Sequence, residues 1–291
     1  MTLSFRAGLI YLFMQNNTLP ALNNPQLKNI CHTCGTCYAE DSPVNCPICD
    51  DERQYVPVSG QQWVNYNELS KTKSIRFGKL LPNVYDLRIS PSFAIAQKAH
   101  LIISQSGNLL WDCLPFLDEA TVAFIHSKGG IKGIAISHPH YYSLMTAWAE
   151  IFDCPIYLHA ADKKWVMDKS DYIVFFESEK YALWDGMEII HTGGHFAGST
   201  VLHTPFAGSG GSLFVGDTLQ ISQSRQFISM MYSYPNQIPL PLIDILRISE
   251  KISPLKFDSM YGAFEWQNIN KGAKAIFEQS VKRYVDVYKT T

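Results

Sequence analysis

Apolar and polar positions along this chain follow two periods. From about Trp63 onward, short apolar runs of strand length alternate with stretches that repeat about every 3.6 residues. Residues 84–90, 100–104, 109–112, 131–137, 155–159, 188–191, 200–204, 212–215 and 260–261 read as strands. Gly107-Asn108 predicts a hairpin between the second and third of these. Residues 117–127 and 144–152 read as helices, the first stopped by Gly129-Gly130. The last helix is the clearest. Ala273, Ile276, Phe277, Val281 and Tyr284 share one face, with Lys274, Glu278 and Lys282 outside it. Strands interleaved with helices, without an internal repeat, predict an α/β layered domain.

Composition narrows the class. The chain has 291 residues, 24 Lys+Arg against 26 Asp+Glu, and a formal net charge of -2. An apolar content of 46% excludes a disordered chain, and the charge balance gives no global basic field for nucleic acid. No apolar run approaches the ~20 residues of a membrane-spanning helix, so no membrane role is expected. Residues 7–14 follow Arg6 and have the length of a short signal core. They lack a small-residue cleavage site and run into Gln15-Asn16-Asn17, so residues 1–25 are read as an N-terminal extension.

Five of the seven cysteines fall between residues 31 and 49. Cys31-x-x-Cys34 and Cys46-x-x-Cys49, with 11 residues between the pairs, make two knuckles that aim four thiolates at one point. Gly35 and Pro47 supply the turns. The prediction is a zinc-ribbon-like module over residues 26–60, dependent on a structural zinc for its fold. Iron of the rubredoxin type takes the same ligands. A disulfide cluster would need an oxidising compartment and leaves an odd cysteine. Cys37 is either a spare thiol or an alternative ligand; Cys113 and Cys154 read as buried thiols. Thiolate metal sites persist where thiols stay reduced, which points to the cytoplasm. Lys28 and Arg53 are the only basic side chains in 25–60 against five acidic ones, the wrong sign for phosphate binding.

A second set of ligand-type residues lies in the region 61–291. His138 and His140 follow the strand 131–137. His195 comes 57 residues after His138 within Gly193-Gly194-His195-Phe196-Ala197-Gly198, and Asp217 follows 22 residues later in Gly216-Asp217-Thr218. Each sits where a strand meets a loop, and the glycines let the backbone come close.

At these residues the chain resembles the metallo-β-lactamase superfamily, with its His-x-His-x-Asp-His motif, a glycine-flanked His, a Gly-Asp and a last His near the C-terminus. The resemblance spans about residues 80–288. It includes the hairpin ending in Leu110-Trp111-Asp112, and it implies an αββα sandwich with metal-binding loops along one edge. His138, His140 and His195 would be the first-site imidazoles and Asp217 the carboxylate. The departures from the pattern are specific: Tyr142 stands at the second-metal Asp, Ser143 at the adjacent His, and no His occurs near Tyr261-Gly262. The resemblance therefore implies a mononuclear centre in a hydrolase-like branch carrying an N-terminal four-cysteine knuckle.

The expected function is hydrolysis of an ester, thioester or amide-like small molecule by metal-activated water, with zinc at the centre and Asp217 as ligand or base. A mononuclear iron oxygenase of the persulfide-dioxygenase kind, or a degenerate binding module, are the alternatives. Tyr142 is a candidate acid or ligand, a role that a cation-lowered phenol pKa would serve. Tyr141, His159 and Asp162 are candidate substrate contacts or supports of the metal ligands, while His191 and His203 read as structural. The aromatic run 230–235 reads either as packing or as a pocket wall.

Overall fold

The computed structural model describes residues 29–38 and 43–289. The N-terminal extension, 1–25, with its apolar run at 7–14, lies outside the described residues.

The hydrophobic alternation produces two sheets whose inner faces meet. The first has seven strands in chain order: β1 (Ser74–Leu81), β2 (Val84–Ser90), β3 (Lys98–Ile102), β4 (Leu109–Trp111), β5 (Gly133–Ala135), β6 (Ile156–His159) and β7 (Ile173–Phe176). Strands β1 to β4 pair antiparallel, then β4 to β7 pair parallel, because helices now fill the crossovers. The second sheet has six strands: β8 (Lys180–Ala182), β9 (Glu188–His191), β10 (Thr200–Thr204), β11 (Ser212–Phe214), β12 (Ser259–Tyr261) and β13 (Asn268–Ile269).

Three apolar layers follow from the two-residue period. Val84, Ile102, Leu109, Trp111, Leu202, Phe214 and Tyr261 pack between the sheets. On the outer face of the first sheet, Leu87, Leu101, Leu110 and Ile134 meet α1 (Glu119–Ser127) and α2 (Met145–Phe152) through Val122, Ile125 and Trp148. On the outer face of the second, Val201, Leu213 and Met260 meet α3 (Leu242–Ile252) and α4 (Ala273–Lys289) through Ile245, Ile248 and Phe277. This is the expected αββα sandwich.

Sequence reading placed most of these elements within two residues. Asp118 caps α1 by accepting from the Thr121 amide at 2.8 Å, and its other oxygen accepts from Ile75 at 2.9 Å, tying the helix to β1. Strands β1, β7, β8 and β13 and helix α3 were not anticipated. Strand β1 carries exposed Arg76 and Lys79 and alternates weakly. Helix α3 begins directly after Pro239 and Pro241, which read as loop signals; a proline just before a helix costs it no internal hydrogen bond.

The cysteine module forms its own three-stranded sheet from Asn29–Cys31, Cys37–Tyr38 and Trp63–Val64. Its third strand comes from just beyond residue 60, so the chain closes the module as it leaves it. Among the described residues no helix is long and apolar enough to cross a membrane.

Candidate metal centre

The loops that follow β5, β9 and β11 open on one edge of the sandwich and bring four side chains together. His138, His140, His195 and Asp217 each offer one ligand atom, and all four atoms lie within 4.8 Å of one another. The Asp217 Oδ2 is 3.3 Å from His138 Nε2 and 3.8 Å from both His140 Nδ1 and His195 Nε2. His195 Nε2 lies 3.5 Å from His140 Nδ1. The convergence makes sense around a cation.

Each ligand is held from behind. Ser137 Oγ and His138 Nδ1 are 2.9 Å apart, which leaves Nε2 facing the cluster. Asp112, in a left-handed conformation at φ 60°, accepts from the Ser137 amide at 2.8 Å and fixes that residue. His195 Nδ1 donates to the Tyr232 carbonyl at 2.9 Å, so its Nε2 carries the lone pair. Tyr141 donates to Asp217 Oδ1 at 2.5 Å, and Tyr234 donates to the Asp217 carbonyl at 2.6 Å. Gly216 turns at φ 49°, and a Cβ there would fall 2.3 Å from Ser137 Oγ. Only glycine brings Asp217 this close to the His138 loop.

Electrostatics agree with a ligand set. Burial lowers His138 to about 4 and holds His195 well below the usual histidine range, so both are neutral. Burial pushes the Asp217 carboxyl up, but its interactions with His138, then His140 and His195, outweigh this and hold it well below the carboxylate range. Burial and the Asp217 charge push the Tyr141 phenol up, so it keeps the proton it donates. Asp112 is raised by burial to about 7.

The remaining expected site residues occupy different places. Tyr142 is buried; burial, then the Asp162 charge, push its phenol up. Ser143 is locked by two neighbours: its carbonyl accepts from the Cys37 amide at 3.1 Å and its hydroxyl accepts from Gln97 at 2.9 Å. Asp162 accepts from the Gly198 amide at 2.9 Å, so it holds the loop carrying His195. His159 stacks on His191 with ring centroids 3.7 Å apart. Tyr261 points between the sheets with its hydroxyl unpartnered.

The four cysteines also converge. Cys31, Cys34, Cys46 and Cys49 are buried with their sulfurs within 4.8 Å, Cys31–Cys49 at 3.7 Å and Cys34–Cys46 at 3.6 Å. Four thiols packed at this spacing ionise together only with a cation among them. Cys37 stands apart, in the apolar layer of the first sheet, where burial pushes its thiol up to about 12.

Sequence reasoning missed the supports. Tyr232 and Tyr234 lie in the aromatic run that could be wall or packing, and the carbonyl of one is what fixes His195. Arg53, read only as a stray basic residue, donates to the His195 carbonyl at 3.1 Å. Nothing in the local sequence signals that contact, because 142 residues separate the partners.

No protein-family model matches the chain. Its fold is similar to the B3 metallo-β-lactamase with an active-site glutamic acid, at 14% identity over 81% of this chain and 97% of that one, with a TM-score of 0.50. It is similar likewise to the DIM-1 metallo-β-lactamase, at 15% identity over 72% and 96%, with a TM-score of 0.52. Identities this low show the fold alone. A much nearer sequence is the uncharacterized protein YmaE of Bacillus subtilis (strain 168), 40% identical over 261 residues, 88% of this chain and 95% of that protein. The chain therefore belongs to the YmaE family, and it folds as a metallo-β-lactamase sandwich.

Proposed function

We propose that this protein is a mononuclear metallohydrolase acting on an ester, thioester or amide-like small molecule. The observation that carries the reading is the convergence of His138 Nε2, His140 Nδ1, His195 Nε2 and Asp217 Oδ2 on one point. The residues fit a divalent ion: His138 Nε2 is buried without a hydrogen-bond partner, and the backs of His138 and His195 are already engaged. When bound, such an ion supplies Lewis acidity and draws the pKa of water toward ~7.

The chain's own groups do the rest. Asp217 keeps its Oδ2 turned to the imidazoles because Tyr141 holds Oδ1. Neutral His195, with its Nδ1 proton on the Tyr232 carbonyl, presents a lone pair at Nε2. The Ser143 contacts close the position beside the centre with hydrogen bonds to Cys37 and Gln97, which supports one metal rather than two. Asp217 is the most open of the four ligands, at 8% exposure, so a substrate approaches from its side. A four-thiolate site suits a cytoplasmic setting, where thiols stay reduced.

The donor set of imidazole and carboxylate, without thiolate, equally favours iron, which makes an oxygenase the second reading. Elemental analysis of purified full-length protein tests both. Two metal equivalents, one lost in His195→Ala, support the centre; zinc in the lost equivalent favours the hydrolase and iron the oxygenase. Unchanged metal content in His195→Ala would refute it.

A further inference from the structure

Three consecutive residues join the cysteine module to the histidine centre. Asp51, Glu52 and Arg53 follow directly on the short helix Pro47–Asp50, which carries Cys49 and begins after Cys46. Asp51 grips the Arg53 guanidinium through both carboxylate oxygens, Nε to Oδ1 at 2.6 Å and Nη2 to Oδ2 at 2.8 Å. The remaining nitrogen, Nη1, donates to the His195 carbonyl at 3.1 Å, and the guanidinium lies 3.8 Å from the centre of the Phe196 ring. The Glu52 carbonyl accepts from Ser233 Oγ at 2.6 Å and from Asn236 Nδ2 at 2.8 Å, while its carboxylate accepts from the Tyr232 hydroxyl at 2.7 Å. Residues 231–236 are the same segment whose Tyr232 carbonyl holds His195 Nδ1.

His195 is therefore held twice from the module, at its own carbonyl by Arg53 and at its ring through the segment that Glu52 anchors. It needs such holding. Gly193 and Gly194, at φ 62° and 87°, give the loop before it the widest backbone freedom. Outside the module, Asp162 at the Gly198 amide, His191 at the Ala197 carbonyl and the turn at Ser199 also restrain that loop. We infer that Arg53 is a positioning residue of the histidine centre, and that filling the four-cysteine site raises metal affinity at the histidine site by ordering residues 51–53. This rests on reading His138, His140, His195 and Asp217 as metal ligands.

Asp51 orients the guanidinium and neutralises it, so the arginine orders His195 without placing a net charge beside the site. Lysine cannot replace it: one ammonium does not span both Asp51 oxygens and also reach the carbonyl with the same planar fork. Coupling of this kind is reciprocal, so each site strengthens the other.

The test uses full-length protein stripped of metal. Cadmium loads the thiolates first, followed by titration of cobalt(II) at the histidine site, read from its visible absorption. In the wild type, cobalt affinity is expected to be higher with cadmium in place than without it. Arg53→Met is expected to keep the cadmium–thiolate absorption and to lose 10–100-fold in cobalt affinity, as removal of groups supporting metal ligands does. Arg53→Lys should not restore it. Asp51→Asn, which leaves the arginine present but loosely held, should fall between, and it carries the test if Arg53→Met fails to fold. Equal cobalt affinity in the wild type and both variants overturns the inference while the metal centre stands. Wild type that takes up only thiolate-bound metal overturns the centre, and the inference with it.

Discussion

The Tyr141 phenol donates to Asp217 Oδ1 at 2.5 Å, and the Asp217 Oδ2 is then the oxygen left facing His138, His140 and His195. A tyrosine one residue after a ligand histidine thus sets the orientation of a carboxylate 76 positions away. Tyr141→Phe keeps the ring packing and deletes this bond. The expected result is a 10–100-fold weaker histidine site with a folded protein and an unchanged cysteine site. Isothermal titration of metal into the stripped variant checks it, and wild-type affinity would remove Tyr141 from the account.

Gly216 stands between Ser137 and Asp217 with no room for a side chain. Gly216→Ala must accept a left-handed alanine and push a Cβ against the Ser137 hydroxyl, which also contacts His138. A loss of about 1–3 kcal/mol in stability is expected, together with weaker metal binding at the histidine centre. Denaturant melts with and without added metal separate the two effects.

The two roles of cysteine near the N-terminus are separable by substitution. Cys37→Ala deletes a sulfur from the apolar layer of the first sheet and should cost on the order of 1 kcal/mol, with the thiolate site still filling. Cys31→Ala should abolish that site. Thiolate–cadmium absorption of the two variants distinguishes them; loss of the signal in Cys37→Ala would make Cys37 a ligand.

His159 supplies a pH dependence away from the metal. Burial, then the charge of His191 stacked against it, lowers it to about 4, against 6.5 in the unfolded chain. Folding favours its neutral form, so its contribution is complete above pH 6.5 and is lost as pH falls toward 4. Glu179 and Lys251, which face the pair, act in opposite directions. His159→Gln should flatten the stability curve between pH 4 and 6.5 relative to wild type. Parallel curves from equilibrium unfolding would contradict the assignment.

The two candidate ligand sets were legible along the chain. The paired Cys-x-x-Cys spacings, the His138-Pro139-His140 step off a strand, and the glycines around His195 and Asp217 are local signals, because ligand geometry demands turns at fixed offsets. The apolar periods likewise gave the layers, since burial on a sheet or helix face imposes them. Helix α3 escaped because its prolines precede it, and β1 because its exposed charges blur the alternation.

What holds the ligands was settled only by tertiary structure. Tyr141 on Asp217, Tyr232 and Arg53 on His195, Asp112 behind Ser137 and Cys37 against Ser143 pair residues far apart in the chain, and such hydrogen bonds leave no periodic trace. Sequence by itself determined two sets of candidate metal ligands. That the cysteine set braces the loop of the histidine set was decided by how the module folds against the sandwich, where a guanidinium reaches a carbonyl 142 residues away.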